Sequence, residues 1–218
     1  MILSVNGVSL YYEKHGQGQP LIMVHGNGED HTIFDQAVEK LRAHYTCYLI
    51  DSRDHGNSSK TNHLHYEDMA QDMLEFMERL QLDHVIFYGF SDGGIIGLLV
   101  AGKTDRIKAL IISGANTDPS GIKPWFRRAT QWIYRFQKDE KLALMLNEPH
   151  ISEEYLQTIS CPVYVLAGSK DLILESHTNA IAKALSHSSL CIIPNEGHGS
   201  YIVHSDKIAD WILSFRIT

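Results

Sequence analysis

Hydrophobic and polar positions along this chain fall into a repeating alternation of short apolar runs and longer amphipathic stretches. Ile2–Asn6 and Val8–Lys14 alternate residue by residue around Gly7, the signature of a hairpin. Pro20–Val24 is a continuous apolar run of the kind found in buried strands. Thr46–Ile50, His84–Tyr88, Ile107–Ser113, Pro162–Ala167 and Leu190–Ile193 read the same way. Between them, Tyr66–Leu80 carries Met69, Met73, Phe76, Met77 and Leu80 on one helical face. Gly93–Lys103, Glu175–Leu185 and Tyr201–Phe215 are further helical stretches. Apolar strands alternating with helices predict an α/β protein, its mainly parallel sheet covered by helices on both faces.

One segment departs from this rhythm. No strand pattern occurs between Ser113 and Cys161, where Trp125 to Leu146 is helical, aromatic and basic. An insertion at that place lands above the strand ends, where open α/β sheets bind ligands. Residues 117–159 are therefore expected to form a small helical lid, with residues 1–116 and 160–218 as the core of a single domain. The alternative is an ordinary crossover helix with a thick apolar face.

Composition narrows the function more than the fold. The chain has 218 residues and a formal net charge of −7, without a basic run, which disfavours nucleic acid as a partner. Three widely spaced cysteines, Cys47, Cys161 and Cys191, fit neither a disulfide framework nor a paired metal site and read as small buried hydrophobes. The N-terminal stretch is not patterned as a secretory signal, and no run of about 18 apolar residues suggests a membrane span. A soluble, cytoplasmic protein is expected.

The candidate chemistry is concentrated in four turns. Gly89-Phe90-Ser91-Asp92-Gly93-Gly94 lies between a strand and a helix. A serine raised on such a turn takes positive φ and needs small neighbours, and the helix N-terminus behind it favours developing negative charge. A hydroxyl is a weak nucleophile and needs a base oriented by an acid. His198 in Glu196-Gly197-His198-Gly199, and Asp171 in Gly168-Ser169-Lys170-Asp171, each leave a strand at the same sheet edge as Ser91. The chain order Ser91, Asp171, His198 matches a triad on this architecture. His204 is the rival base and Asp118 the rival acid. Backbone N–H groups of Asn27, in His25-Gly26-Asn27-Gly28, and of Asp92 are the expected oxyanion donors. That turn lacks the downstream Gly-Lys-Ser/Thr of a phosphate loop. His63 and His65 form an H-x-H pair without a carboxylate or cysteine to complete a metal site, so no metal is expected.

With these motifs in register, the chain resembles the α/β-hydrolase fold superfamily, in the branch with a lid between the sixth and seventh strands. The resemblance extends to Asp51-Ser52-Arg53-Asp54-His55-Gly56-Asn57-Ser58, which is similar to the D-x-R-G-x-G-x-S segment of that family. Asp54 departs from the usual glycine, and Glu29 stands where many members have the second glycine of HGxxG. The Ser-Asp-Gly-Gly elbow resembles that of valacyclovir-hydrolase-like members. Asp92 then has two readings: a first-turn acid complementing the helix dipole, or a carboxylate meeting a cationic substrate group. The resemblance implies a serine hydrolase acting on a small ester without cofactor, with His25, Trp125 and Trp132 as candidate substrate contacts. A C–C bond hydrolase, a perhydrolase, or a ligand receptor of the same fold are the alternatives.

Overall fold

The computed structural model describes residues 1–215. Eight strands form one sheet: β1 (Ile2–Val5), β2 (Val8–His15), β3 (Gln19–Val24), β4 (Tyr45–Ile50), β5 (Val85–Phe90), β6 (Ile107–Ser113), β7 (Val163–Lys170) and β8 (Ser188–Gly197). Their spatial order is β1-β2-β4-β3-β5-β6-β7-β8. The first two strands pair antiparallel, as does β2 with β4, and every later pairing is parallel. The order reverses where β3 passes beside β4 to reach β5, so the crevice at the carboxyl ends of β3 and β5 is where such sheets open.

Eight helices accompany the sheet among the described residues: α1 (Asp35–Leu41), α2 (Tyr66–Arg79), α3 (Asp92–Ala101), α4 (Pro124–Gln137), α5 (Glu140–Asn147), α6 (Glu153–Gln157), α7 (Glu175–Ala184) and α8 (Lys207–Ser214). Period-two alternation divides each strand between two cores. Ile22 and Val24 of β3 join α2, α3 and α7 on one face. Leu21 and Met23 join α1 and α8 on the other. This is the doubly covered parallel sheet that the apolar runs predict.

Three local outcomes differ from the sequence reading. Tyr201–Phe215 is not one helix, because His204 takes φ 48° and a series of turns precedes α8. β8 continues past Pro194 to Gly197, where Lys170 pairs with Gly197 beyond an irregularity. Helix α1 carries no strong periodicity outside Ala37, Val38 and Leu41 and is seven residues long. Residues 117–159 hold α4, α5 and α6, and α4 buries only Thr130 fully.

Candidate active site

Ser91 stands between β5 and α3 with φ 51° and ψ −112°, the left-handed backbone that the sequence motif calls for. Its N–H donates to Ser113 O at 2.8 Å, and its carbonyl accepts from Gly94 N at 2.9 Å and Ile95 N at 3.1 Å. The neighbouring glycines are dictated by close approach. A Cβ on Gly89 would lie 2.1 Å from Gly93 O, and one on Gly93 would lie 2.1 Å from Val24 O. The turn can thus press directly against β3 and hold the serine at the sheet edge.

Asp171 follows β7 and His198 follows β8, so both strands end by delivering a side chain to the same edge. His198 Nε2 is 3.0 Å from Ser91 Oγ, and Nδ1 is 2.6 Å from Asp171 Oδ1. In the second contact Nδ1–H donates to the carboxylate, which fixes the tautomer and leaves Nε2 to accept from the hydroxyl. Asp171 also accepts from Ile173 N–H at 2.9 Å and Gly168 N–H at 3.3 Å. Burial alone would raise its carboxyl, but His198 and these two amides outweigh it and hold it below the ordinary range. Phe90 packs on the imidazole with ring centroids 5.0 Å apart. The rivals lie elsewhere: His204 pairs with Asp35 at 3.0 Å, and Asp118 with His150 at 2.9 Å.

Asn27 and Asp92 line the cleft beside Ser91. Among the described residues neither backbone N–H meets a protein acceptor. Their side chains bond each other, Asn27 Nδ2 donating to Asp92 Oδ2 at 2.9 Å, while Tyr66 Oη donates to Asp92 Oδ1 at 2.8 Å. Burial raises the Asp92 carboxyl, opposed by these two donors.

The cleft and the open solvent at its mouth together span about 550 Å³. Ile122, Phe126, Met145, Leu172 and Ile173 make its apolar wall; Glu29 and Asn116 add polar groups, and no lysine or arginine is among its lining residues. Three expected substrate contacts, His25, Trp125 and Trp132, are not among the residues that line the cleft. His25 is buried beneath the cleft: its Nδ1 donates to Gly26 O at 2.7 Å and its Nε2 accepts from Ser52 N–H at 3.0 Å. Burial, then the neighbouring His55, pushes its pKa down to about 4, so it is a neutral anchor for the Gly26–Gly28 turn. Trp125 and Trp132 are 61% and 67% exposed to solvent. On α4 the cleft-facing aromatic is Phe126, one residue beyond Trp125 and so about 100° around the helix.

Both departures from the family pattern have a structural reason. Glu29 Oε2 accepts from Gly26 N–H at 3.0 Å, closing the turn after β3, and burial raises its carboxyl. Its role was legible only as a missing glycine. Asp54 takes φ 64°, a conformation glycine adopts freely, and its Oδ2 meets Lys141 Nζ of α5 at 2.7 Å. Lys141 O also accepts from Asn27 Nδ2 at 3.0 Å. Two contacts therefore tie α5 to the site. Metal-type atoms of Asp30, His31 and Asp51 lie within 4.8 Å of one another. Asp51 is already engaged by His31 N–H and Nδ1 and by Asn57 N–H, so it serves the turn.

A family model described as the alpha/beta hydrolase fold matches residues 19–141. Serine hydrolase BPHL of Mus musculus is 26% identical over 238 residues, spanning 94% of this chain and 82% of its own. An esterase from Thermogutta terrifontis superposes with a TM-score of 0.81 at 22% identity, covering 98% of this chain and 97% of that one. The enol-lactonase of Burkholderia xenovorans gives 0.79 at 18% identity, with 98% of each chain covered. The sheet order, the elbow and the family match agree: the chain belongs to the α/β-hydrolase fold family and is an α/β-hydrolase.

Proposed function

We propose that the protein is a serine hydrolase that cleaves small carboxylic esters through an acyl-enzyme. The observation that carries this reading is the unbroken hydrogen-bond relay from Asp171 through His198 to Ser91 Oγ. His198 Nε2 removes the hydroxyl proton as Ser91 attacks the ester carbonyl, and the imidazolium that forms is stabilised by Asp171. The N–H groups of Asn27 and Asp92 receive the oxyanion, each such donor contributing about 10²–10³ in rate. His198 then protonates the departing alkoxide, and a water deprotonated by the same nitrogen hydrolyses the acyl-enzyme. The apolar wall at Phe126 and Met145 accommodates a short acyl or alcohol group, with the helical insertion as the lid.

A finer reading concerns substrate charge. Glu29 and Asp92 both line the cleft, and the arginines of the lid do not. That supports an ester bearing an amine, such as an aminoacyl ester, over one bearing a carboxylate. Hydrolysis of p-nitrophenyl acetate, butyrate and octanoate by the wild type and His198→Ala tests the main reading. Turnover that falls at least about 10³-fold in the variant is expected; equal rates would refute the assignment. Paired aminoacyl and neutral esters test the finer one. Asp92→Asn should narrow a preference for the amine, and an unchanged ratio would remove Asp92 from substrate recognition.

A further inference from the structure

Helix α4 is strongly amphipathic, yet its apolar stripe does not face the protein. Trp125, Ala129, Trp132 and Phe136 follow the spacing i, i+4, i+7, i+11 and fall within about 60° of one another on the helix. All four are exposed, and Ile133 on the stripe's edge is exposed too. The residues turned inward are Phe126, Thr130 and Tyr134, roughly a third of a turn away. Among the described residues, four of the eight most exposed large hydrophobic side chains sit on this one helix. Scattered apolar residues on a surface are ordinary, but a contiguous patch marks a contact.

The charges around the stripe are as unusual as its position. From Pro119 to Lys138 there is no Asp or Glu, while Lys123, Arg127, Arg128, Arg135 and Lys138 fall in the same stretch of a chain whose net charge is −7. Ion pairs near the insertion are made at His63–Glu140, His65–Glu148, Asp54–Lys141 and Asp118–His150, and none involves those five cations among the described residues. Lys138 instead lies 5.0 Å over the ring of Tyr134. A helix with tryptophan and phenylalanine on one side and unpaired cations beside them fits the boundary between lipid headgroups and acyl chains.

We propose that the outward face of α4 is an adsorption surface for anionic lipid. Trp125, Trp132 and Phe136 would enter the interfacial layer while Arg128 and Arg135 meet headgroup phosphates. A second copy of the chain is a poorer occupant on two counts. Fourteen residues of helix present a stripe about 20 Å long whose three aromatic side chains expose on the order of 400 Å², where a stable dimer buries about 800 Å² per partner. Symmetric pairing would also bring two sets of unpaired cations together.

The proposal is independent of the chemistry at Ser91 and is read by binding alone. The full chain is sedimented with vesicles of phosphatidylcholine, and with vesicles of phosphatidylcholine mixed with phosphatidylglycerol, at low and high salt. Binding is expected only to the anionic vesicles, weakening with salt, with a blue shift of tryptophan emission. Trp132→Ser combined with Phe136→Ser, and separately Arg128→Glu combined with Arg135→Glu, should each reduce binding at least about tenfold. These side chains are exposed, so thermal melts of both variants should match the wild type. Absence of binding to anionic vesicles at low salt overturns the proposal, as does binding indifferent to the aromatic pair. A concentration-dependent dimer abolished by Phe136→Ser assigns the face to a second copy and also overturns it. So does capture of an acidic protein by a chain that ignores vesicles.

Discussion

Helices α3 and α4 sit on either side of the same cleft and are built on opposite plans. Every residue of α3 from Asp92 to Ala101 is buried, its side chains beyond Asp92 are apolar all round, and glycine stands at 93 where the β3 backbone passes. Helix α4 buries one residue, and its apolar face looks outward. In α3 the constraint is contact with β3 and β6, which leaves no freedom at Gly93. In α4 the constraint is attachment at a few points, which leaves the outer surface free to specialise. The turn that carries Ser91 is held by the crowded element, and the outward aromatic stripe sits on the sparsely attached one.

The contrast can be broken most severely at the serine. Ser91→Ala should lower kcat/KM for a nitrophenyl ester by at least about 10⁴ while thermal unfolding stays cooperative. Steady-state assays together with circular dichroism melts check this. Next in size is Gly93→Ala. Its methyl group would meet Val24 O, a backbone atom that cannot swing aside, so a loss of about 3 kcal/mol or more is expected in denaturant unfolding. Trp132→Ser, on the exposed stripe of α4, should change stability by less than about 0.5 kcal/mol. Equal losses at the two positions would erase the distinction.

A third test uses pH. The Glu29 carboxyl is raised by burial from 4.5, so its ionised form opposes folding at neutral pH. Glu29→Gln keeps an oxygen for Gly26 N–H and removes that charge. The variant should melt higher than wild type at pH 7, with the difference vanishing as pH falls below 4.5, where both states of the wild type are protonated. A gain independent of pH would contradict the assignment. The smallest expected effect is at the tether. Asp54→Gly removes the ion pair with Lys141 but relieves a φ of 64°. Global stability should move by less than about 1 kcal/mol, while amide exchange across α5 quickens several-fold and that of α3 is unchanged.

The same contrast explains what the sequence disclosed. Core strands announced themselves because burial on both faces demands unbroken runs such as Leu110–Ile112. The elbow was legible because close backbone approach accepts only glycine at 89 and 93. The order of Ser91, Asp171 and His198 along the chain anticipated their meeting, since each follows a parallel strand at one edge. Periodicity identified α4 as a helix but could not say which way its stripe would turn, so Trp125 and Trp132 were expected at the cleft that Phe126 and Met145 line. His25 read as a substrate contact because nothing local encodes the Ser52 amide that fixes its ring from another turn. Asp54 and Glu29 were visible only as departures from a family pattern, and their partners Lys141 and Gly26 had to be supplied by the fold.

Ser91, activated by His198 and Asp171, is the proposed nucleophile. Intact-mass analysis after exposure to a fluorophosphonate tests it directly on the wild type and on Ser91→Ala. One adduct on the wild type and none on the variant is the expected result. A folded wild type that takes no adduct, or a variant that still takes one, would contradict the account.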